Sequence, residues 1–119
     1  MENPLIKNLR DAIAVSPDNI LLRKMLADAL FEANEPQEAE KEYKAALQID
    51  PTSLDIKLGL AKAFFSNAKF SEAEIVAEEL IAAKHFPAEM YLLVARIALQ
   101  RHDAKKAHEF YHIATKMDK

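Results

Sequence analysis

Four histidines, His85, His102, His108 and His112, carry the broadest chemistry in this sequence, and three of them lie close together near the C-terminus. His108 and His112 are spaced to put both rings on one helical face, with His102 in the preceding turn and Glu109 beside them. A catalytic zinc centre needs three ligands on one focus, and this order is not the His-Glu-x-x-His that also supplies a base. The histidines are therefore expected at structural or solvent-facing positions, with no metal and no other cofactor. His85 precedes Phe86 and Pro87, where an imidazole suits the negative end of a helix. Carboxylates abound, as in Glu38, Glu40 and Glu42 or Glu72, Glu74, Glu78 and Glu79, but helical spacing scatters them over solvated faces. Acid and base catalysis needs two groups converging on a cleft. Lys41, Lys44 and Lys84 offer these acids ordinary ion pairs, each worth tenths of a kcal/mol. No catalytic residue is expected, and the chain is not read as an enzyme.

Composition removes further classes. Cysteine is absent, so there is no disulfide framework, thiolate zinc site or thiol nucleophile, which suits a reducing compartment. Gly59 is the only glycine, and glycine-rich phosphate loops cannot be written without more. Sixteen Lys and Arg stand against 19 Asp and Glu, for a net charge of −3 spread through every segment. The densest basic cluster, Arg101 to Lys106, is interrupted by Asp103, so no nucleic acid partner is expected. Uncharged stretches such as Met90 to Ala95 fall far short of the roughly 20 residues that span a bilayer, and no membrane insertion is expected. The opening Met-Glu-Asn-Pro lacks the basic start and apolar run of an export signal, and a cytoplasmic location is expected.

The elements that carry these residues follow from a repeat. Glu35-Pro-Gln-Glu-Ala39 aligns with Lys69-Phe-Ser-Glu-Ala73 and with Asp103-Ala-Lys-Lys-Ala107, each block 34 residues after the last. The same offset sets Tyr43 over Ala77 and Tyr111, Ala46 over Leu80 and Ala114, and Leu26-Ala27 over Leu60-Ala61 and Val94-Ala95, without a gap. Each unit reads as two amphipathic helices. Leu22, Leu26, Ala29, Leu30 and Ala33 form one stripe. Ala39, Tyr43, Ala46 and Leu47 form the next, repeated as Ala73, Ala77, Leu80 and Ile81 and then as Ala107, Tyr111 and Ala114. Asn34 can close a helix in the left-handed region, Pro36 opens the next, and Ser71 with Glu74 reads as a capping box. Ser16-Pro-Asp-Asn19 and Asp50-Pro-Thr-Ser53 separate units. Asn3 and Pro4 start an extra half unit, with Leu5 and Leu9 in register with Ala39 and Tyr43. Seven helices are predicted, over 4–15, 20–33, 36–48, 53–67, 71–84, 87–101 and 104–117, in one domain divided into 1–19, 20–53, 54–87 and 88–119.

These residues resemble the tetratricopeptide repeat family. Leu26, Ala27, Leu30, Ala39, Tyr43, Ala46 and Pro51 match its motif closely; the middle unit keeps Leu60, Ala61, Phe64, Phe70 and Ala73, and the last keeps Tyr91, Val94, Ala95, Ala107, Tyr111 and Ala114. Ala77 and His85 stand where an aromatic residue and proline are usual, and Arg23 and Lys57 where tryptophan is. The resemblance implies an all-α, right-handed solenoid of tandem hairpins whose concave wall holds a peptide or partner helix. The implied groove positions are Leu21, Lys24, Met25, Asp28 and Phe31, then Leu58, Lys62 and Phe65, then Leu92, Arg96 and Leu99. Some relatives grip a terminal carboxylate through a clamp of Lys, Asn, Asn, Lys and Arg. The matching positions here carry Lys24, Asp28, Gly59, Glu89 and Leu93, so no such clamp is expected. The implied guest is an apolar or amphipathic helix with basic groups to meet Asp28. Phe31, Phe65 and Leu99 would alternatively serve only to close the hairpin cores.

Phe110, Ile113 and Met117 form a second apolar stripe on the last helix. Repeat arrays usually end in a polar capping helix. The stripe therefore predicts, first, that the chain is a fragment of a longer protein, or else that this face is a dimer or partner interface, through which the module could assemble as a homo-oligomer. A protein-binding adaptor segment of a larger assembly is the first functional expectation and a self-assembling scaffold the second.

Overall fold

The computed structural model describes residues 3–117, and among these there are seven helices and no strand. They are α1 (Pro4–Val15), α2 (Ile20–Glu32), α3 (Pro36–Ile49), α4 (Leu54–Ser66), α5 (Phe70–Ala82), α6 (Pro87–Gln100) and α7 (Ala104–Met117). Side-chain caps set four of the starts, α7 included, where Asp103 Oδ1 accepts from the Lys106 amide at 3.1 Å. Asn3 accepts from the Leu5 amide at 2.8 Å, Asn19 from Leu22 at 3.1 Å and Ser53 from Ile56 at 3.4 Å, each satisfying an orphan donor of the first turn. Proline occupies the first turn of α1, α3 and α6, where its missing N–H costs nothing.

The 34-residue period reappears in the backbone. Asn34, Ala68 and His102 all sit in the left-handed region, at φ 64°, 60° and 61°. Behind each, the next amide reaches back across the turn: Glu35 to Leu30 at 2.9 Å, Lys69 to Phe64 at 2.8 Å and Asp103 to Ala98 at 2.8 Å. This closure satisfies carbonyls that each helix end would otherwise leave unpaired. It also starts α5 at Phe70, one residue earlier than the sequence predicts, so Ser71 lies inside the helix and the expected capping box does not form. Ser71 instead accepts from Arg101 Nη2 at 2.7 Å.

α2 pairs with α3, α4 with α5 and α6 with α7, and successive hairpins stack as α4 on α3 and α6 on α5, with α1 against α2. The result is a helical repeat solenoid 49 Å long and 30 by 26 Å across. One continuous core runs along it, from Ile6, Leu9 and Ile13 of α1 through Leu26, Leu30, Tyr43, Leu60, Phe64 and Leu80 to Met90, Val94 and Ile97 of α6. Small residues at the helix crossings, Ala27, Ala39, Ala46, Ala61, Ala73 and Ala77, are all fully covered and let the backbones approach closely. Tyr111 departs from the inner stripe expected of it: Ala107 and Ala114 are buried, but Tyr111 is 55% exposed.

Candidate concave binding site

Positions four and seven residues apart on the first helix of each hairpin recur as Lys24, Asp28 and Phe31, Leu58, Lys62 and Phe65, and Leu92, Arg96 and Leu99. Stacking brings part of this set together. Phe31 of α2, Lys62 and Phe65 of α4, and Leu92 and Arg96 of α6 line a pocket of about 390 Å³, floored by Met90 and Leu93. Phe65 is fixed from two sides, with the Phe70 ring 5.6 Å away, tilted by 59°, and the Arg96 guanidinium 5.8 Å from its centroid. Lys62 Nζ and Glu89 Oε1 pair at 2.7 Å across the rim, both half exposed. Such an exposed pair contributes tenths of a kcal/mol, so a guest's charge can displace either member at small cost.

Leu21 and Met25 lie outside the pocket at the N-terminal end of the array, 62% and 43% exposed, and Leu58 is half buried against the core. Leu99 is 60% exposed and lies in another depression, between α6 and α7. Asp28 is already engaged. Its carboxylate accepts from Lys24 Nζ at 2.8 Å and from the buried Tyr43 hydroxyl. Burial, and then the nearby carboxylates of Asp28 and Glu32, push the Tyr43 phenol well above its ordinary pKa, so it stays a donor. The guest contact expected of Asp28 is thus occupied from within the chain. Removing the hydroxyl with Tyr43→Phe is expected to lower the unfolding free energy by about 1 kcal/mol in denaturant titration; an unchanged midpoint would show that this bond adds nothing to folding. Met90 is not singled out by the sequence because it reads locally as plain helix core, whereas Glu89 and Leu93 stand at clamp positions that the resemblance supplies.

The histidines do not converge. His108 and His112 are exposed, with near-parallel rings 6.4 Å apart, while His85 Nε2 lies 2.8 Å from Asp55 Oδ1 of the preceding hairpin. The helix-end role expected of His85 falls to its backbone, whose amide donates to Leu80 O at 3.0 Å. Among the described residues no three His, Cys, Asp or Glu groups are placed to hold a metal ion. Phe110 is half buried, its ring 5.7 Å from that of Tyr91 and 5.5 Å from Lys106 Nζ; Ile113 is half buried and Met117 exposed. No helix among the described residues is long and apolar enough to cross a membrane.

Two family models described as tetratricopeptide repeat match the chain, one over residues 30–97 and the other over residues 6–53. The chain belongs to the tetratricopeptide repeat family. Members of the family typically serve as protein-interaction scaffolds. No curated protein matches the sequence. Among solved structures this tetratricopeptide repeat chain is similar to MamA, with TM-score 0.83 and 20% identity over 93% of this chain and 65% of that one. It is also similar to YrrB, described as a tetratricopeptide repeat protein with an unusual peptide-binding site, with TM-score 0.73 and 18% identity over 91% of this chain and 56% of that one. PilF of Pseudomonas aeruginosa follows, with TM-score 0.75 and 20% identity over 91% of this chain and 50% of that one. At these identities the likeness is one of fold, and the chain spans less than two thirds of each of these longer proteins.

Proposed function

We propose that the concave wall holds a short segment of a partner polypeptide, extended or helical, and that the chain acts as the recruiting part of a larger assembly rather than as a catalyst. The observation that supports this reading is the pocket between Phe31, Phe65 and Leu92, an apolar floor ringed by Lys62, Glu89 and Arg96. An aromatic or aliphatic anchor would bury itself against Phe65 and Leu93, and charges flanking it would exchange with the Lys62–Glu89 pair. A site of this size fits one or two side chains, which corresponds to modest affinity and reversible recruitment. The cysteine-free composition suits a reducing compartment, and a cytoplasmic setting is part of the same reading.

Selection of a displayed random-peptide library on the whole chain tests it. Recovered peptides are expected to share an apolar anchor flanked by charge and to lose at least tenfold in affinity on Phe65→Glu, with the helical circular dichroism retained. Peptides that bind Phe65→Glu as well as the parent would sink the assignment.

A further inference from the structure

Among the groove positions and the lining of the concave pocket, four charged side chains are matched in pairs. Lys24 meets Asp28 at 2.8 Å, and Lys62 meets Glu89 at 2.7 Å. Arg96 is the fifth, and it has no carboxylate within ion-pair distance among the described residues. Its guanidinium lies over the Phe65 ring instead, 5.8 Å from the centroid. A guanidinium held through its flat face keeps the N–H donors around its edge available, and that planar fork matches a carboxylate. The chain as a whole carries a net charge of −3, yet this wall is left with a single positive charge in surplus.

Arg96 also stands at a defined distance from the apolar floor. Leu93 lies three positions before it on α6, which places the two side chains on one face with their Cβ atoms roughly 5–6 Å apart. A guest anchored against Leu93 and Phe65 therefore brings its next same-face side chain to Arg96. That side chain is two residues on in an extended segment, about 7 Å away, or three in a helical one. One negative charge suits the place better than two, because Glu89 lines the same pocket and already holds Lys62. Hairpins are added side by side along the array, so a further hairpin would prolong this wall and leave the pocket between α2, α4 and α6 open to a partner.

Resting on the concave pocket as the seat of a partner segment, we infer that the segment carries an aspartate or glutamate two or three residues from its apolar anchor, and that Arg96 selects it. Phe65 serves twice, as the wall against which the anchor packs and as the platform that holds the guanidinium edge toward the carboxylate. Preorganised in this way, Arg96 gives up little side-chain freedom when the guest arrives.

Displayed random-peptide libraries selected in parallel on the whole parent chain and on Arg96→Glu test this. The parent is expected to enrich Asp or Glu two or three residues from an apolar anchor, above their share of the unselected library, and Arg96→Glu to favour Lys or Arg there. The best parent-selected peptide is then labelled with fluorescein and titrated by anisotropy beside a copy in which that acid is replaced by its amide. The amide is expected to bind the parent about tenfold more weakly, while Arg96→Gln, checked for folding by circular dichroism, binds the two about equally. Peptides that need Phe65 but show no preference for the acid, or a preference that persists in Arg96→Gln, overturn the inference and leave the pocket as the seat. Peptides indifferent to Phe65→Glu overturn both. Tighter binding of a copy with phosphoserine in place of the acid would overturn the choice of a carboxylate. A dimer of the chain alone in sedimentation equilibrium, dissolved by Phe65→Glu, would make a second copy the occupant and overturn it as well.

Discussion

Gly59→Leu is expected to lower the unfolding free energy by about 2–3 kcal/mol, read as a fall of roughly 10 °C in the melting temperature. The cause is position rather than size alone. A Cβ on Gly59 would overlap Cε1 and Cζ at the edge of the Tyr43 ring, so the first atom of any side chain already collides and no rotamer of the new side chain relieves it. The ring is not free to move aside, being 2% exposed and tied through its hydroxyl to Asp28. Glycine in a helix interior costs about 1 kcal/mol against alanine, so Gly59→Ala sets that gain against overpacking worth about 1–3 kcal/mol. The balance is expected to be destabilising in the parent chain. In a Tyr43→Leu background the collision is gone, and the same Gly59→Ala change is expected to stabilise. Should Gly59→Ala stabilise the parent by the full helix-propensity gain, the packing of Tyr43 against α4 would be refuted.

The second large effect is expected at Glu40, the one charged residue buried among those described, at 6% exposure. Burial pushes its carboxyl up, but hydrogen bonds from Lys44, Lys69 and Asn67 outweigh that and hold it at about 2, against an ordinary 4.5. Asn67 also donates to the carbonyl of Pro36 at 3.0 Å, and both ammonium groups lie over the Phe64 ring, at 5.3 and 6.0 Å. Three elements are thereby fastened at one point. Because folding lowers this pKa, the unfolded chain takes up the proton first; the stabilisation is complete above pH 4.5 and is lost as pH falls toward about 2. At about 1.4 kcal/mol per pH unit the separation corresponds to roughly 3 kcal/mol. Lys44 and Lys69 stand half in water, which screens part of it, so Glu40→Gln is expected to cost about 2 kcal/mol at pH 7. Urea titrations of the two chains should converge between pH 4.5 and 2; a difference constant over that range would show that the charge is not what holds the junction.

Helix boundaries were legible to within a residue or two because their signals are local. Asn3, Asn19 and Ser53 cap where their side chains can reach, and proline and left-handed residues punctuate at a fixed interval. What was not legible depends on groups brought together by stacking. Two of Glu40's three partners, Asn67 and Lys69, lie 27 and 29 residues away in the next hairpin, and its pair with Lys44 in its own helix does not mark it out, since Glu38 likewise pairs locally with Lys41. Ser71 and Glu74 matched a capping pattern, yet both turn to Arg101 of the following turn, with Lys106 adding a further bond to Glu74. Tyr111 carries the same residue type and register as Tyr43, and only a covering helix makes one a core residue and the other a surface one. In the groove, Phe31, Lys62, Phe65, Leu92 and Arg96, positions implied by the family resemblance, line one pocket, but the resemblance could not show that Asp28 is satisfied internally.

Each helix packs chiefly on those next to it in the chain, with α4 touching α2 as well. No strand or segment has to travel from one end of the molecule to the other before the first native contacts form, so little loop-closure entropy stands in the way. Folding can begin at any hairpin and spread outward by adding neighbours, and the molecule is expected to reach its native state quickly for its size.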